Sequence, residues 1–178
     1  YYNNNISGFI NVIDKCKDYK IRKFIYASSS SIYNDDISKK LTAENEKTDQ
    51  PINIYAFTKK SNELLAYTYS HLYNLTSIGL RFFSVYGPFG RPDMAYFNFT
   101  KQILSRKEIT LFNDGNTYRD MTFISDVCKG IESAIYSFKN IKGHELFNIG
   151  NEQPVHTMQL VNSIENQFKL KAKIKNVV

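Results

Sequence analysis

Residues 23–33 read KFIYASSSSIY. The first five, KFIYA, are aromatic and β-branched with no turn former, the composition of a buried strand. Ser28 to Ser31 end that run and open a polar stretch that continues to about Asn53 and contains Pro51. An open α/β sheet binds ligands beyond the carboxyl ends of its strands, so a strand that runs out into hydroxyls marks a ligand-facing edge. Around this stretch the chain alternates. Ile6, Phe9, Ile10, Ile13 and Cys16 recur near helical spacing and predict a helix over 5–18. A long helix is expected at about 54–74, with Leu64, Leu65, Tyr69 and Leu72 on one side, then a strand at 77–83 (SIGLRFF) and a Gly/Pro loop at 86–92. Beyond it we read a helix at 96–105, a strand at 109–112, a turn at 113–116 and a strand at 119–124. A helix at 125–138 follows, capped by Ser125 or Asp126. A strand at 145–149, a helix at 157–168 and the start of another strand complete the chain. This alternation predicts an α/β fold whose parallel strands are joined by crossover helices.

The composition bounds the function. The chain has 178 residues, 42% of them apolar and 22% charged, which fits a globular domain and argues against disorder, collagen or a coiled coil. No run approaches the roughly 18–20 uncharged apolar residues of a membrane span, and no secretory signal opens the chain. The net charge of +6 suggests nucleic acid at first. Yet only five of the 23 cations are arginine, the lysines are dispersed, and no basic cluster carries interleaved aromatics. Neither nucleic acid nor membrane is therefore an expected partner. Cys16 and Cys128 are too few for a disulfide scaffold and are read as small buried side chains in a cytoplasmic protein. His71, His144 and His156 have no partner at metal-ligand spacing, so no metal site is expected and all three are placed at the surface. Glu44 and Glu46, with Asp35 and Asp36, are read as solvated loop acids.

Tyr55 and Lys59 form Y-x-x-x-K. On a helix, positions i and i+4 share a face. An ammonium beside a phenol favours the phenolate and suits Tyr55 to proton transfer near neutral pH. The spacing alone is weak: with 13 tyrosines in the chain, chance supplies about one such pair, and Tyr19/Lys23 is a second. By itself the pair fits a solvated helix face as well as it fits catalysis. Its context favours catalysis. The serine run precedes it, and the next strand ends in RFFSVYGP (Arg81–Pro88), so three successive elements offer polar groups at one edge.

The ordered series YYNNN (1–5), FIYASSSSIY (24–33), YAFTK (55–59), RFFSVYGPFGRPDMA (81–95) and RDMTFISDV (119–127) resembles the extended short-chain dehydrogenase/reductase family of NAD-dependent epimerases and dehydratases. Within that family it is most similar to the UDP-glucuronate 4-epimerases, with GRPDMA the most telling segment. The resemblance implies a Rossmann-type parallel sheet flanked by helices, with a small interleaved substrate lobe. It places 1–85 in the NAD-binding domain, 86–118 in the lobe, 119–140 back in the Rossmann domain and 141–178 in the lobe again. No strand–glycine-rich turn–helix unit occurs in the chain, which reads as a piece of a longer one.

The resemblance also implies a mechanism and its residues. Tyr55 accepts the proton of the sugar 4-hydroxyl as the C4 hydrogen passes to NAD as hydride, Lys59 holds the nicotinamide ribose, and Ser29 shares a hydrogen bond with the same hydroxyl. Asn5, Ala27, Ser28, Phe82 and Val85 match cofactor-side positions. Ser30, Ser31 and Ser84 match positions around the sugar carboxylate. Arg91, Asp93 and Met94 belong to the GRPDMA segment. Thr110, Leu111 and Phe112 match the segment around uracil, and Arg119 matches an arginine on the diphosphate, where a forked cation suits phosphate oxygens. Related dehydratases carry Asp-Glu where this chain has Ser30 and Ser31, and decarboxylases carry Glu at the second position. The serines therefore favour epimerisation of UDP-glucuronate to UDP-galacturonate, with UDP-glucose or UDP-N-acetylglucosamine epimerisation, or an inactive fragment, as the alternatives. Asn34 departs from the family's glycine. Relatives of this kind form homodimers through a helix bundle that includes the Tyr55 helix.

Overall fold

The computed structural model describes residues 1–33 and 41–177. A π-helical turn, Tyr2–Ser7, runs into helix α1 (Gly8–Asp18). There follow β1 (Lys23–Ser29), a single 3₁₀ turn (Ser30–Ile32), α2 (Ile54–Tyr73), β2 (Thr76–Phe82), β3 (Ser84–Tyr86), α3 (Ala95–Leu104) and β4 (Glu108–Phe112). The second half holds β5 (Tyr118–Phe123), α4 (Ile124–Ser137), β6 (His144–Ile149), β7 (Pro154–His156), α5 (Thr157–Phe168) and β8 (Lys173–Val177). The Asn34, Asp35 and Asp36 readings lie outside the described residues.

The chain divides into two compact units. Among the described residues, one contains 1–33, 42–83 and 125–150, the other 41, 84–124 and 151–177. The unit boundaries fall at 83/84, 124/125 and 150/151; the sequence reading drew its own at 85/86, 118/119 and 140/141.

The first unit is built on a parallel sheet of order β1–β2–β6. Alternation sorts its side chains into two layers. Tyr26 packs with Ile13 of α1 and Ala66 of α2 on one face, while Ile78 and Leu80 pack with Ala134 and Phe138 on the other. Helices thus cover both faces, as a parallel sheet requires. Tyr26, Gly79 and Leu146 align across the three strands. A Cβ at Gly79 would stand 2.5 Å from the Tyr26 hydroxyl oxygen, so the central strand has no room for a side chain there.

The second unit contains two small sheets. In one, β3 runs parallel to β5 and β5 antiparallel to β7; in the other, β4 runs parallel to β8. The β5–β7 pair departs from the all-parallel expectation. Phe99, Ile103, Ile109, Leu111, Val161 and Ile164 form the core of this unit.

Several sequence readings need correction. The buried residues of α2 are Ala56, Thr58, Asn62, Glu63, Ala66 and Ser70, while Leu64 and Leu72 are exposed. Small residues let the helix sit close to the sheet, and its buried polar groups have the partners described below. Helix α4 starts at Ile124, so Ser125 and Asp126 lie inside its first turn rather than at its cap. Cys128 is exposed and Cys16 half-buried, since their helices turn other residues inward. His144 is not a surface residue: it starts β6 beside Ser77, and its ring stacks on Tyr26 at 6.1 Å. Nor is Glu44 simply solvated, for its carboxylate accepts from the Asn148 backbone N–H at 2.7 Å.

Candidate active site

Asn53 starts α2 as its cap, its side-chain oxygen accepting from the Ala56 N–H at 2.8 Å. One turn on, Tyr55 and Lys59 share a face. The Lys59 ammonium lies 5.7 Å from the centre of the Tyr55 ring and donates to the Ala27 carbonyl at 2.9 Å. That bond ties the helix to the last residues of β1. Burial pushes the Lys59 pKa below the ordinary lysine value. The half-buried Tyr55 has no hydrogen-bond partner for its hydroxyl among the described residues. The Tyr1 ring stands 5.6 Å from that of Tyr55.

Ser29 ends β1 and caps the 3₁₀ turn. Its hydroxyl accepts from the Ser31 N–H at 3.2 Å and donates to the Ser31 hydroxyl at 3.1 Å. Ser30 and Ser31 are half-buried in that turn. Ser28 is buried and donates to Glu63 at 2.6 Å, so its hydroxyl is already engaged within the protein. Asn5 donates to the Thr58 hydroxyl at 2.9 Å, and Thr58 in turn donates to the Tyr55 carbonyl, so Asn5 supports the turn that carries Tyr55. Phe82 ends β2 and packs beside the Ile78–Leu80 cluster.

Glu63, Arg81, Tyr33 and Asn148 were not singled out by sequence. The Arg81 guanidinium meets Glu63 through two bonds of 2.9 Å, with both side chains 2% exposed. It also donates to the Tyr33 hydroxyl at 2.7 Å and to the Glu44 carbonyl at 3.0 Å. Tyr33 donates to Asn148 at 2.7 Å, and Asn148 donates to the Thr42 carbonyl at 3.0 Å. Burial raises the Tyr33 pKa against the opposing pull of Arg81. A signal for Glu63 was available: Tyr55, Lys59 and Glu63 follow one another at i, i+4 and i+8.

The second unit carries the other candidates. Ser84 and Val85 open β3, each half-buried. Arg91 pairs with Asp93, its Nε donating at 3.1 Å, and Met94 precedes α3 at its cap position. On β4 the side chains alternate. Leu111 is in the core, whereas Thr110 and Phe112 face outward, so Leu111 has only its backbone to offer a ligand. Arg119 is exposed on β5 and donates to the Tyr118 carbonyl at 3.0 Å.

The chain is similar to several known proteins. UDP-glucuronate 4-epimerase 4 of Arabidopsis thaliana is 44% identical to the chain, covering 100% of it and 44% of the plant protein. Protein CapI of Staphylococcus aureus is 43% identical, covering 97% of the chain and 56% of CapI. Among solved structures, a tyrosine-to-phenylalanine variant of UDP-glucuronic acid 4-epimerase from Bacillus cereus, in complex with UDP-4-deoxy-4-fluoroglucuronic acid and NAD, superposes with a TM-score of 0.91. It is 33% identical, over 99% of this chain and 55% of that one. The chain thus spans about half the length of the curated relatives it matches. Its parallel sheet with flanking helices is the Rossmann-like fold of the Bacillus cereus structure. With residues 1–150 matching the model of the NAD-dependent epimerase/dehydratase family, the chain belongs to that family.

Proposed function

We propose that the protein to which these 178 residues belong is an NAD-dependent UDP-sugar 4-epimerase whose substrate is UDP-glucuronate and whose product is UDP-galacturonate. The observation that carries this reading is the placement of Tyr55 and Lys59 on one helical face, with Lys59 tied to the end of the strand that carries Ser29. The residues fit the cofactor. After bonding Ala27, the Lys59 ammonium keeps two N–H donors, which suit the vicinal hydroxyls of a ribose. When bound, NAD supplies a reversible two-electron acceptor for the C4 carbon–hydrogen bond. The Tyr55 phenolate takes the proton of the sugar 4-hydroxyl and, as the phenol, returns it, and Ser29 orients that hydroxyl. The Lys59 charge stabilises the Tyr55 phenolate that stands before the proton is taken and after it is returned.

Ser30 and Ser31 support epimerisation over elimination. Neither has a carboxyl, so the turn after β1 offers no second acid–base pair to expel water. In the second unit, Thr110, Phe112 and Arg119 are proposed for the nucleotide, and Ser84, Arg91, Asp93 and Met94 for the sugar end. No helix among the described residues is long and apolar enough to cross a membrane. Phe57, Leu64 and Leu72 are exposed at near-heptad intervals along α2, which suits packing against the same helix of a second copy.

The test uses the whole reading frame in which these residues lie. Incubated with UDP-glucuronate and followed by proton NMR at the sugar H4, it is expected to yield both epimers, and Tyr55→Phe to abolish the conversion. Turnover of UDP-glucose or UDP-N-acetylglucosamine in place of UDP-glucuronate would move the substrate and keep the mechanism. Failure on all three, with no NAD retained on purification, would overturn the reading.

A further inference from the structure

The proposed reaction uses Tyr55, Lys59 and Ser29, yet the most elaborate polar assembly in the first unit lies just behind them. Glu63 is on α2, one turn beyond Lys59. It is held at two points: Arg81 grips its carboxylate through two bonds of 2.9 Å, and Ser28, the neighbour of Ser29, donates to it at 2.6 Å. Arg81 is on β2 and 1% exposed. Its remaining donors reach Tyr33, at the end of the serine turn, and the carbonyl of Glu44. Tyr33 passes the connection to Asn148 near the end of β6. The chain of bonds therefore joins the ends of three adjacent strands to the helix that carries the candidate base.

Stability alone is a weak reason for such an assembly. A buried ion pair loses much of its Coulombic gain to desolvation, and apolar replacements of similar volume often match it. What a two-bond guanidinium–carboxylate contact does supply is fixed geometry. Two contacts define the spacing between α2 and β1. Lys59 to Ala27 is one, and the other is Glu63 to Ser28, one residue further along β1 and one turn further along α2. Tyr55 and Ser29 are carried by those same two elements. The serine turn is held at both ends, by Ser28 through Glu63 and by Tyr33 through Arg81.

We infer that Glu63 and Arg81, with Tyr33, are positioning residues that set the separation of the Tyr55 and Ser29 hydroxyls by locking α2 to the end of β1 and fixing the turn between Ser29 and Tyr33. They touch neither sugar nor cofactor in this account. The inference rests on the assignment of Tyr55 and Ser29 above.

The test compares the whole protein with the paired variant Glu63→Met/Arg81→Met, which removes both charges together and leaves no lone buried ion. The fold is expected to survive, judged by circular dichroism and by protection of the β2 and β6 amides. Amides of residues 29–33 are expected to exchange with deuterium about tenfold faster or more. The kcat is expected to fall at least about tenfold with KM held within about threefold, since misplacement by an ångström costs rate rather than affinity. A kcat within threefold of wild type, or unchanged exchange at 29–33, would overturn the inference. Should the paired variant fail to fold, Tyr33→Phe leaves the ion pair intact and removes one link. It is expected to lower kcat about threefold to tenfold and to speed exchange at 31–33, and no change in either would overturn the inference. The two readings fail separately: full turnover in Tyr55→Phe would refute the assignment of the base, while the exchange data, which need no turnover, would still decide whether the pair orders the turn.

Discussion

Ser28 and Ser29 are consecutive on β1 and serve different partners: Ser28 donates across to Glu63 on α2, whereas Ser29 closes on Ser31 within its own turn. A hydroxyl whose only bonds are to a short local turn can exchange them for a ligand. One buried against a carboxylate at 2.6 Å cannot do so without leaving that carboxylate short of a donor. Ser29→Ala is therefore expected to lower kcat about tenfold to a hundredfold while changing stability by under about 1 kcal/mol. Ser28→Ala is expected to do the reverse, costing about 1–2 kcal/mol in urea denaturation with a smaller loss of turnover.

Lys59 should show function and stability pulling apart. Burial holds its pKa below the ordinary lysine value, so the folded state binds this proton less tightly than the unfolded chain does. The cost is present below the folded pKa and is relieved as pH rises toward the ordinary value near 10.5. Lys59→Met removes the buried charge and is expected to be at least as stable as wild type at pH 7. It is also expected to lose about tenfold to a thousandfold in kcat. Thermal melts beside initial rates at pH 7 decide it; a variant that loses stability and keeps its rate would contradict both halves.

His144 predicts where acid begins to unfold the first unit. Its ring is half-buried between Tyr26 and Tyr67, with Nδ1 2.9 Å from the Ser77 hydroxyl, and desolvation pushes its pKa down from 6.5 to about 4. A lowered folded pKa means that the unfolded chain takes up the proton first. The stability contributed by the neutral ring is complete above pH 6.5 and is lost as pH falls from 6.5 to about 4. Allowing for partial exposure, the loss amounts to about 1–2 kcal/mol. Urea titrations at pH 7.5 and 4.5 should show it, and His144→Gln should shrink the difference between the two pH values.

Gly79→Ala tests the packing of the central strand. The added methyl has no free space beside the Tyr26 ring, and both neighbouring strands are fixed in register. A loss of about 1–3 kcal/mol is expected by chemical denaturation. Tyr26→Phe on the same background, which removes the hydroxyl oxygen nearest the new methyl, should recover part of it.

Much of this was legible from residue order, and the exceptions have physical causes. KFIYA and SIGLRF announce buried parallel strands because such strands are apolar on both faces. The three-residue strands β3 and β7 are too short for any period to register. For α2, the sequence reading grouped Leu64, Leu65, Tyr69 and Leu72 on one side without saying which way that side faces. The structure turns in Ala66, Ser70 and the polar Asn62 and Glu63, because a bidentate arginine from β2 satisfies a carboxylate there. His144 was placed at the surface because it has no partner at metal-ligand spacing, while its partial burial depends on Ser77 and Tyr26, distant in sequence. On β4, Thr110 and Phe112 could be distinguished from Leu111 by alternation alone, once the strand was assigned.

The path of the chain between the two units has a consequence for synthesis. β2 is the middle strand of its sheet, but its second neighbour, β6, begins 62 residues after β2 ends. Between them emerge all of β3, α3, β4, β5 and α4. At about 5–20 residues per second, a ribosome leaves one edge of β2 without its partner for roughly 3–12 s. β4 waits similarly for β8, which ends the described chain. Each sheet is thus closed by a strand made late, and a nascent chain stalled before residue 144 exposes the hydrogen-bonding edge of Ile78 and Leu80 to whatever strand is nearest.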